Sequence, residues 1–302
     1  MGEPDPGLTG GGPVPGDSAP GWQAVTATER GAAHRAMGLP NQDAVAAVPL
    51  GPGGVVVAVA DGHGHGRHFR SGRGARLAAS VACQAARDLA ARPGGLPEPG
   101  AAGELRESLV PGIVTGWRDA VLADLAAEPF TGAEEAARRR GDDVTVPYGT
   151  TLLLAAALGD RLLLAQIGDG DVVGIRPDGA PLLPVPGDPL LDGRHTTSLC
   201  SPGAAGLFRV AAVHLAGTPL LGVLLATDGY ANAQVAQSWE EVVSADLAGL
   251  ITAQPAPRLA AQLAQWAARC AALDGSGDDA TIALLLAPAA QAGPGTGAKA
   301  PK

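Results

Sequence analysis

Five short segments of this 302-residue chain set an acidic residue beside glycine or another small polar residue at one end of an apolar run. They are NQDA (Asn41 to Ala44), VAVADGHG (Val57 to Gly64), QIGDGD (Gln166 to Asp171), LLATDG (Leu224 to Gly229) and GDDATIALLL (Gly277 to Leu286). A run such as Val55–Ala60 is too apolar to face water on either side, so it reads as a buried strand. A carboxylate at the mouth of a buried strand is held rigidly. One Asp-Gly is explained as a turn. Five beside apolar runs call for a further reason, and several strand ends meeting on one edge build an oxygen-rich cage for hard divalent cations.

Apolar residues make up 46% of the chain but aromatics only 3%, so Ala, Val and Leu must do the packing. The formal charge of −9 leaves no broad basic footprint and argues against nucleic acid as the main partner. It suits a protein that concentrates acidic ligands. Cys83, Cys200 and Cys270 are odd in number and far apart, which is neither a disulfide framework nor a CxxC metal site. They read as reduced thiols packed as small hydrophobes in a cytoplasmic protein. The first residues lack both a basic start and an apolar core, so they do not form a signal peptide. No stretch approaches the roughly 20 apolar residues of a membrane span.

Residues 1–20 and the tail from 288 to 302 are rich in Gly and Pro or Ala, with little to bury, and are expected to be disordered. Residues 21–287 between them read as one domain. Strands are expected over Trp22–Glu29, Asp43–Pro49 and Val55–Ala60, followed by an Ala-rich helix over Ser71–Arg92. A second helix is expected over Glu104–Glu128, with Pro111 kinking it or marking its true first turn. Thr150–Ala157 and Arg161–Ile167 form a hairpin that Asp171–Arg176 extends. Residues 180–206 form a long irregular excursion. Strands Phe208–Leu215 and Leu220–Thr227, helices Ser238–Ile251 and Pro257–Leu273, and a last strand Ala280–Ala287 complete the order. Strands in blocks and helices in blocks argue for an α+β fold of antiparallel sheets with helix pairs packed outside. Beginnings and ends of alternating antiparallel strands share an edge, so Asp43, Asp61, Asp228 and Asp278-Asp279 are able to converge.

With these motifs in this order, the chain resembles the metal-dependent protein phosphatases of type 2C (the PPM family), especially their bacterial branch. The matching residues are Asn41-Gln42-Asp43-Ala44, Asp61-Gly62-His63-Gly64, Gly149-Thr150-Thr151, Gly168-Asp169-Gly170, Thr227-Asp228-Gly229 and Asp278-Asp279-Ala280-Thr281, spanning about residues 22–287. The resemblance implies a four-layer α-β-β-α sandwich, two antiparallel sheets flanked by helix pairs. It implies two Mn²⁺ or Mg²⁺ ions, with Asp61 bridging them, Asp228 and Asp278 completing one shell, and the Gly62 carbonyl with Asp43 the other. It further implies hydrolysis of phosphoserine and phosphothreonine by a water held between the metals, with His63 as the general acid. The implied partners are phosphorylated Ser/Thr proteins, substrates of a bacterial Ser/Thr kinase.

Three positions depart from the family pattern. Gln42-Asp43 stands where many relatives carry Glu-Asp, removing one negative charge. Gly38 stands where relatives place a phosphate-binding Arg, with Arg30, His34 and Arg35 nearby; Arg35 or Arg30 is the expected guanidinium contact. Some relatives hold a third metal with the aspartate of the Gly-Asp motif and an acid four residues after the Thr-Asp-Gly aspartate. Asp169 supplies the first here, but Asn232 occupies the second position. Two other readings compete. His63, His65 and His68 have the spacing of a zinc-hydrolase motif, although Arg67 occupies its Asp position. A pseudophosphatase would keep the fold as a binding or regulatory module.

Overall fold

The run Val55–Ala60 is buried at every position, and its side chains divide by the two-residue period of a strand. Val55, Val57 and Val59 enter one apolar cluster, while Val56, Ala58 and Ala60 enter another. A strand buried on both faces must lie inside a layered structure. The computed structural model describes residues 21–93, 95–97, 102–191 and 196–291. The expected leader, 1–20, and residues 292–302 of the expected tail lie outside the described residues.

In chain order the described elements are β1 (Gln23–Glu29), α1 (Ala32–Met37), β2 (Ala44–Pro49), β3 (Val55–Ala60), α2 (Ser71–Ala90), α3 (Ala102–Ser108), α4 (Val110–Ala127), α5 (Gly132–Ala137), β4 (Leu152–Leu158), β5 (Arg161–Ile167), β6 (Asp171–Ile175), β7 (Pro181–Leu182), α6 (Ala204–Leu207), β8 (Arg209–His214), β9 (Gly222–Ala226), α7 (Asp228–Ala231), α8 (Trp239–Ala253), α9 (Ala256–Cys270), β10 (Ala280–Leu286) and α10 (Pro288–Gln291). They form two antiparallel five-stranded sheets, ordered β1-β10-β9-β6-β7 and β2-β3-β4-β5-β8. Alternate residues of the strands meet between the sheets: Val57, Leu153, Leu164, Val223 and Leu285 belong to this inner layer. The opposite faces of the second sheet pack on α2, α3 and α4, and those of the first on α8 and α9. The expected four-layer α-β-β-α sandwich is the observed architecture.

Small residues keep these layers close. The buried face of α2 is Ala75, Ala78, Ala79, Ala82 and Ala86, ending at Leu89. Trp117 of α4 fills the space beside it and donates its indole N–H to the Gly74 carbonyl at 3.1 Å. The three cysteines are free thiols; Cys83 and Cys270 are buried and Cys200 is half-buried. Burial pushes the Cys83 thiol up to about 12. Among the described residues no helix is long and apolar enough to cross a membrane.

Several elements differ from the sequence expectation, among them the short helix α10 at the start of the tail expected to be disordered. The Glu104–Glu128 helix is two helices parted at Leu109, and Pro111 sits in the first turn of α4, where its missing N–H costs nothing. The six-residue α1 is too short to show periodicity and ends at Gly38 in the left-handed conformation. The helix α5 has a capping box, Thr131 with Glu134, whose T-x-x-E signature is present in the sequence. The strand β6 does not extend the β4–β5 hairpin. It crosses to the other sheet and pairs with β9.

The crossing is made at Gly168-Asp169-Gly170. Gly168 has φ +103°, and a Cβ there would lie 2.5 Å from the Cβ of Thr151. Gly141 has a similar φ of +95° but opens onto free space. Replacing Gly141 with Ala should therefore cost about 1 kcal/mol from backbone strain alone. Replacing Gly168 with Ala should cost roughly 2–4 kcal/mol, because overpacking adds to that strain. Urea unfolding of both variants checks this, and equal losses would remove the Thr151 contact from the account.

Candidate metal centre

Strand register brings the motif residues to one end of the sandwich. Ala44, the first residue of β2, pairs with Ala60, the last of β3, so Asp43 and Asp61 flank the same edge. In the other sheet, Ala226 at the end of β9 pairs with Ile282 near the start of β10 and with Asp171 at the start of β6. Asp228, Asp278 and Asp279 therefore emerge at the matching edge, beside the Gly168–Gly170 crossing.

Neighbouring hydroxyls and amides hold these aspartates in place. The Asp61 carbonyl accepts from the Thr150 hydroxyl (2.7 Å) and the Thr151 amide (2.8 Å), and the Asp61 amide donates to the Thr151 hydroxyl at 3.1 Å. The Gly-Thr-Thr segment thus acts by pinning the main chain of Asp61. Asp43 Oδ2 accepts from the Thr227 hydroxyl at 2.9 Å, and the Asp43 amide donates to Asn41 Oδ1 at 2.9 Å. Thr227 and Thr281 bond to one another across β9 and β10, which aligns the two loops. Asp228 opens α7 and accepts from the Asn232 side-chain amide at 3.2 Å. Asn232, where an acid would add a further ligand, instead orients Asp228.

These carboxylates crowd one another. Burial pushes Asp61 well above the usual carboxylate range, and the charges of Asp43, Asp228 and Asp278 raise it further. Burial does the same to Asp43, with Asp279 adding to the effect while the Thr281 and Thr227 hydroxyls oppose it. Asp228 is raised by burial and by Asp169. Asp171, given no role by the sequence reading, is pushed up to about 7 by burial and by Glu240. A concentrated set of hard oxygen donors with so little cationic compensation suits a divalent cation.

Basic groups lie around this edge rather than among the aspartates. Arg35 is exposed and pairs with Glu29 at 2.8 Å. Arg30 donates to the Leu39 carbonyl at 3.3 Å. Arg209, which no spacing singled out, donates to the Gly168 and Pro186 carbonyls, pairs with Asp188 at 3.7 Å and feels the weaker charges of Asp169 and Asp171. His63 follows Gly62, and its ring lies 4.9 Å from that of His68. Burial, aided by His68, lowers His63 to about 4, so the free protein holds it as neutral imidazole. His65 accepts from the Arg67 amide, His68 faces the Val146 carbonyl, and Arg67 pairs with Asp142. The three rings lie against one another edge to face, that of His65 being 6.4 Å from that of His68. Among the described residues, the group of three or more His, Cys, Asp or Glu donors lying within 4.8 Å of one another is His34, Asp278 and Asp279.

The motif glycines serve mainly to admit neighbouring backbone. A Cβ on Gly229 would lie 1.9 Å from the Asp279 carbonyl oxygen, and one on Gly62 would lie 2.7 Å from that of Gln42. The 180–206 excursion is tied to the same edge. Thr197 is buried, donates to Asp188 and accepts from the Gly168 amide; Ser198 bonds the Thr150 main chain. Arg194 and His195 of this excursion lie outside the described residues, and Thr197 is engaged internally.

The family described as protein phosphatase 2C matches residues 30–268. Similar solved structures include PppA, described as a key regulatory component of the T6SS in Pseudomonas aeruginosa, at 18% identity and TM-score 0.51, covering 88% of this chain and 98% of that one. The S. agalactiae serine/threonine phosphatase is 18% identical at TM-score 0.55, covering 88% and 99%. Stp1 from Staphylococcus aureus is 15% identical at TM-score 0.55, covering 87% and 94%. At these identities the likeness shows the fold. Comparison with curated protein sequences gives no match.

Asp171 offers a test of the crowding. Its folded pKa is raised, so its ionisation destabilises the metal-free fold increasingly from about pH 4 and fully above about pH 7. Asp171→Asn should therefore stabilise the metal-free protein, by roughly 2–4 kcal/mol at pH 8 and by distinctly less at pH 5. Urea unfolding at the two pH values measures this. A gain that does not depend on pH would refute it.

Proposed function

The chain belongs to the protein phosphatase 2C family, and from that premise we propose that it is a metal-dependent protein phosphatase hydrolysing phosphoserine and phosphothreonine by direct attack of water. The observation that carries this reading is the convergence of Asp43, Asp61, Asp228 and Asp278 from both sheets on one edge. We assign Asp61 as the carboxylate shared by two Mn²⁺ or Mg²⁺ ions. Asp228 and Asp278 would hold one ion, and Asp43 with the Gly62 carbonyl the other. When bound, the ions would neutralise the phosphoryl oxygens and make hydroxide available near neutral pH. Asp169 lies near Asp228, but with Asn232 already bonded to Asp228 a third ion has a poorer donor set.

The chain's own residues supply positioning and a proton. Thr150, Thr151, Thr227 and Thr281 fix the carboxylates before substrate arrives, so little reorganisation is needed during reaction. His63 is assigned to protonate the departing serine or threonine alkoxide. Being neutral in the free protein, it must take up its proton when the dianionic phosphoester binds beside it. Arg35 and Arg30 remain the proposed phosphate contacts, which requires Arg35 to leave Glu29. The proposed partners are phosphorylated Ser/Thr proteins, products of a bacterial Ser/Thr kinase, in the cytoplasm.

Asp61→Asn is expected to abolish Mn²⁺-stimulated hydrolysis of an aryl phosphate while leaving the fold intact by circular dichroism. A wild type without metal-stimulated turnover would sink the enzyme reading and favour a pseudophosphatase binding module. His63→Ala should slow alkyl phosphates at least tenfold more than activated aryl phosphates, since only the poorer leaving group needs the proton. Equal losses on both substrates would remove His63 from the acid role.

A further inference from the structure

The helix α1 is locked onto the loop that carries Asp278. The Ala32 amide donates to the Ala271 carbonyl at 2.8 Å and the Ala33 amide to that of Gly277 at 2.9 Å. Gly31 packs so closely that a Cβ there would lie 2.4 Å from the Asp278 carbonyl carbon. This docking turns His34 inward, leaving it 8% exposed. Its Nδ1 lies 2.8 Å from Asp279 Oδ2, and its Nε2 lies 3.7 Å from Asp278 Oδ1. The two Asp279 oxygens already accept from the Gly31 and Gln42 amides, each at 2.6 Å, so Asp279 is an anchor. His34 Nδ1 is close to Asp279 without a hydrogen bond to it, and Nε2 lies on the Asp278 side.

A second observation points to the same place. Gln42 Oε1 is buried with no hydrogen-bond partner, in a residue only 8% exposed. It lies 3.7 Å, and His34 Nε2 4.0 Å, from the point where a side chain on Gly64 would begin. The amide oxygen and the imidazole nitrogen thus both lie within 4.0 Å of one point at Gly64, and a buried acceptor of this kind calls for a partner.

We propose that His34 is a nitrogen ligand of the divalent cation held by Asp278, with the Gln42 amide oxygen facing the same ion, so that this site selects Mn²⁺ over Mg²⁺. The inference rests on the assignment of Asp278 as a metal ligand. Magnesium demands oxygen donors, whereas imidazole suits the transition ions. The alternative is that His34 only fills space against Asp279.

Electron spin-echo modulation of the Mn²⁺-loaded full-length chain distinguishes the two. Coupling to ¹⁴N should be present in the wild type and survive His63→Ala/His65→Ala/His68→Ala. It should vanish in His34→Gln, whose Mn²⁺ affinity by calorimetry should fall roughly tenfold or more while Mg²⁺ affinity changes much less. If His34→Gln does not fold, the wild type and the triple variant carry the test, because ¹⁴N coupling absent from the triple variant overturns the proposal. Equal loss of Mn²⁺ and Mg²⁺ affinity in His34→Gln overturns it as well. Mn²⁺-dependent phosphatase activity without any ¹⁴N coupling would refute His34 ligation alone. A wild type that takes up no Mn²⁺ would overturn the phosphatase reading with it.

Discussion

The buried Asp279 carboxylate ties together the two ends of the fold. It accepts from the amides of Gly31 and Gln42 and faces His34, so it joins the start of β10 to the segment between β1 and β2. Those partners lie 248 and 237 residues away in the chain. Without that link, Asp43 and Asp278 would ride on separate loops. A carboxylate buried to this degree is tolerated because both oxygens are met by main-chain donors.

The same principle recurs around the edge. Thr150 and Thr151 hold Asp61, Thr227 holds Asp43, and Asn232 holds Asp228. Hydroxyls and amides bond to the main chain or carboxylate of these residues without adding a positive charge, so the aspartates are positioned while their mutual repulsion persists. The result is an edge rigid in shape and strained in charge, the condition in which cation binding is most favourable. Gly62 and Gly229 contribute by absence, letting the Gln42 and Asp279 backbones close in where a Cβ would collide.

Much of this was legible in the chain. Apolar runs bounded by Asp and small residues located β3, β9 and β10, and antiparallel geometry placed their mouths together. The β6 crossing was not legible, because a hairpin strand and a strand that changes sheet have the same two-residue period; the left-handed Gly168 makes the difference. The helix α1 was hidden because six residues are fewer than two turns. Asp279 read as a ligand's neighbour, Asp171 closed a motif but was given no role, and Arg209 had no motif at all. Their significance comes from partners far away in sequence.

The sequence alone determined which residue types stand at strand ends, and hence that the chain is α+β with a carboxylate-rich edge. Burial and period-two alternation are local properties, and composition suffices to reveal them. Only the tertiary structure decided how the carboxylates differ from one another. Asp279 anchors, Asp61 sits among like charges, Asp171 is left facing Glu240, and His34 turns inward beside Asp278. The reason is physical: desolvation and Coulomb interactions depend on distances between segments, and those distances exist only once the two sheets have packed.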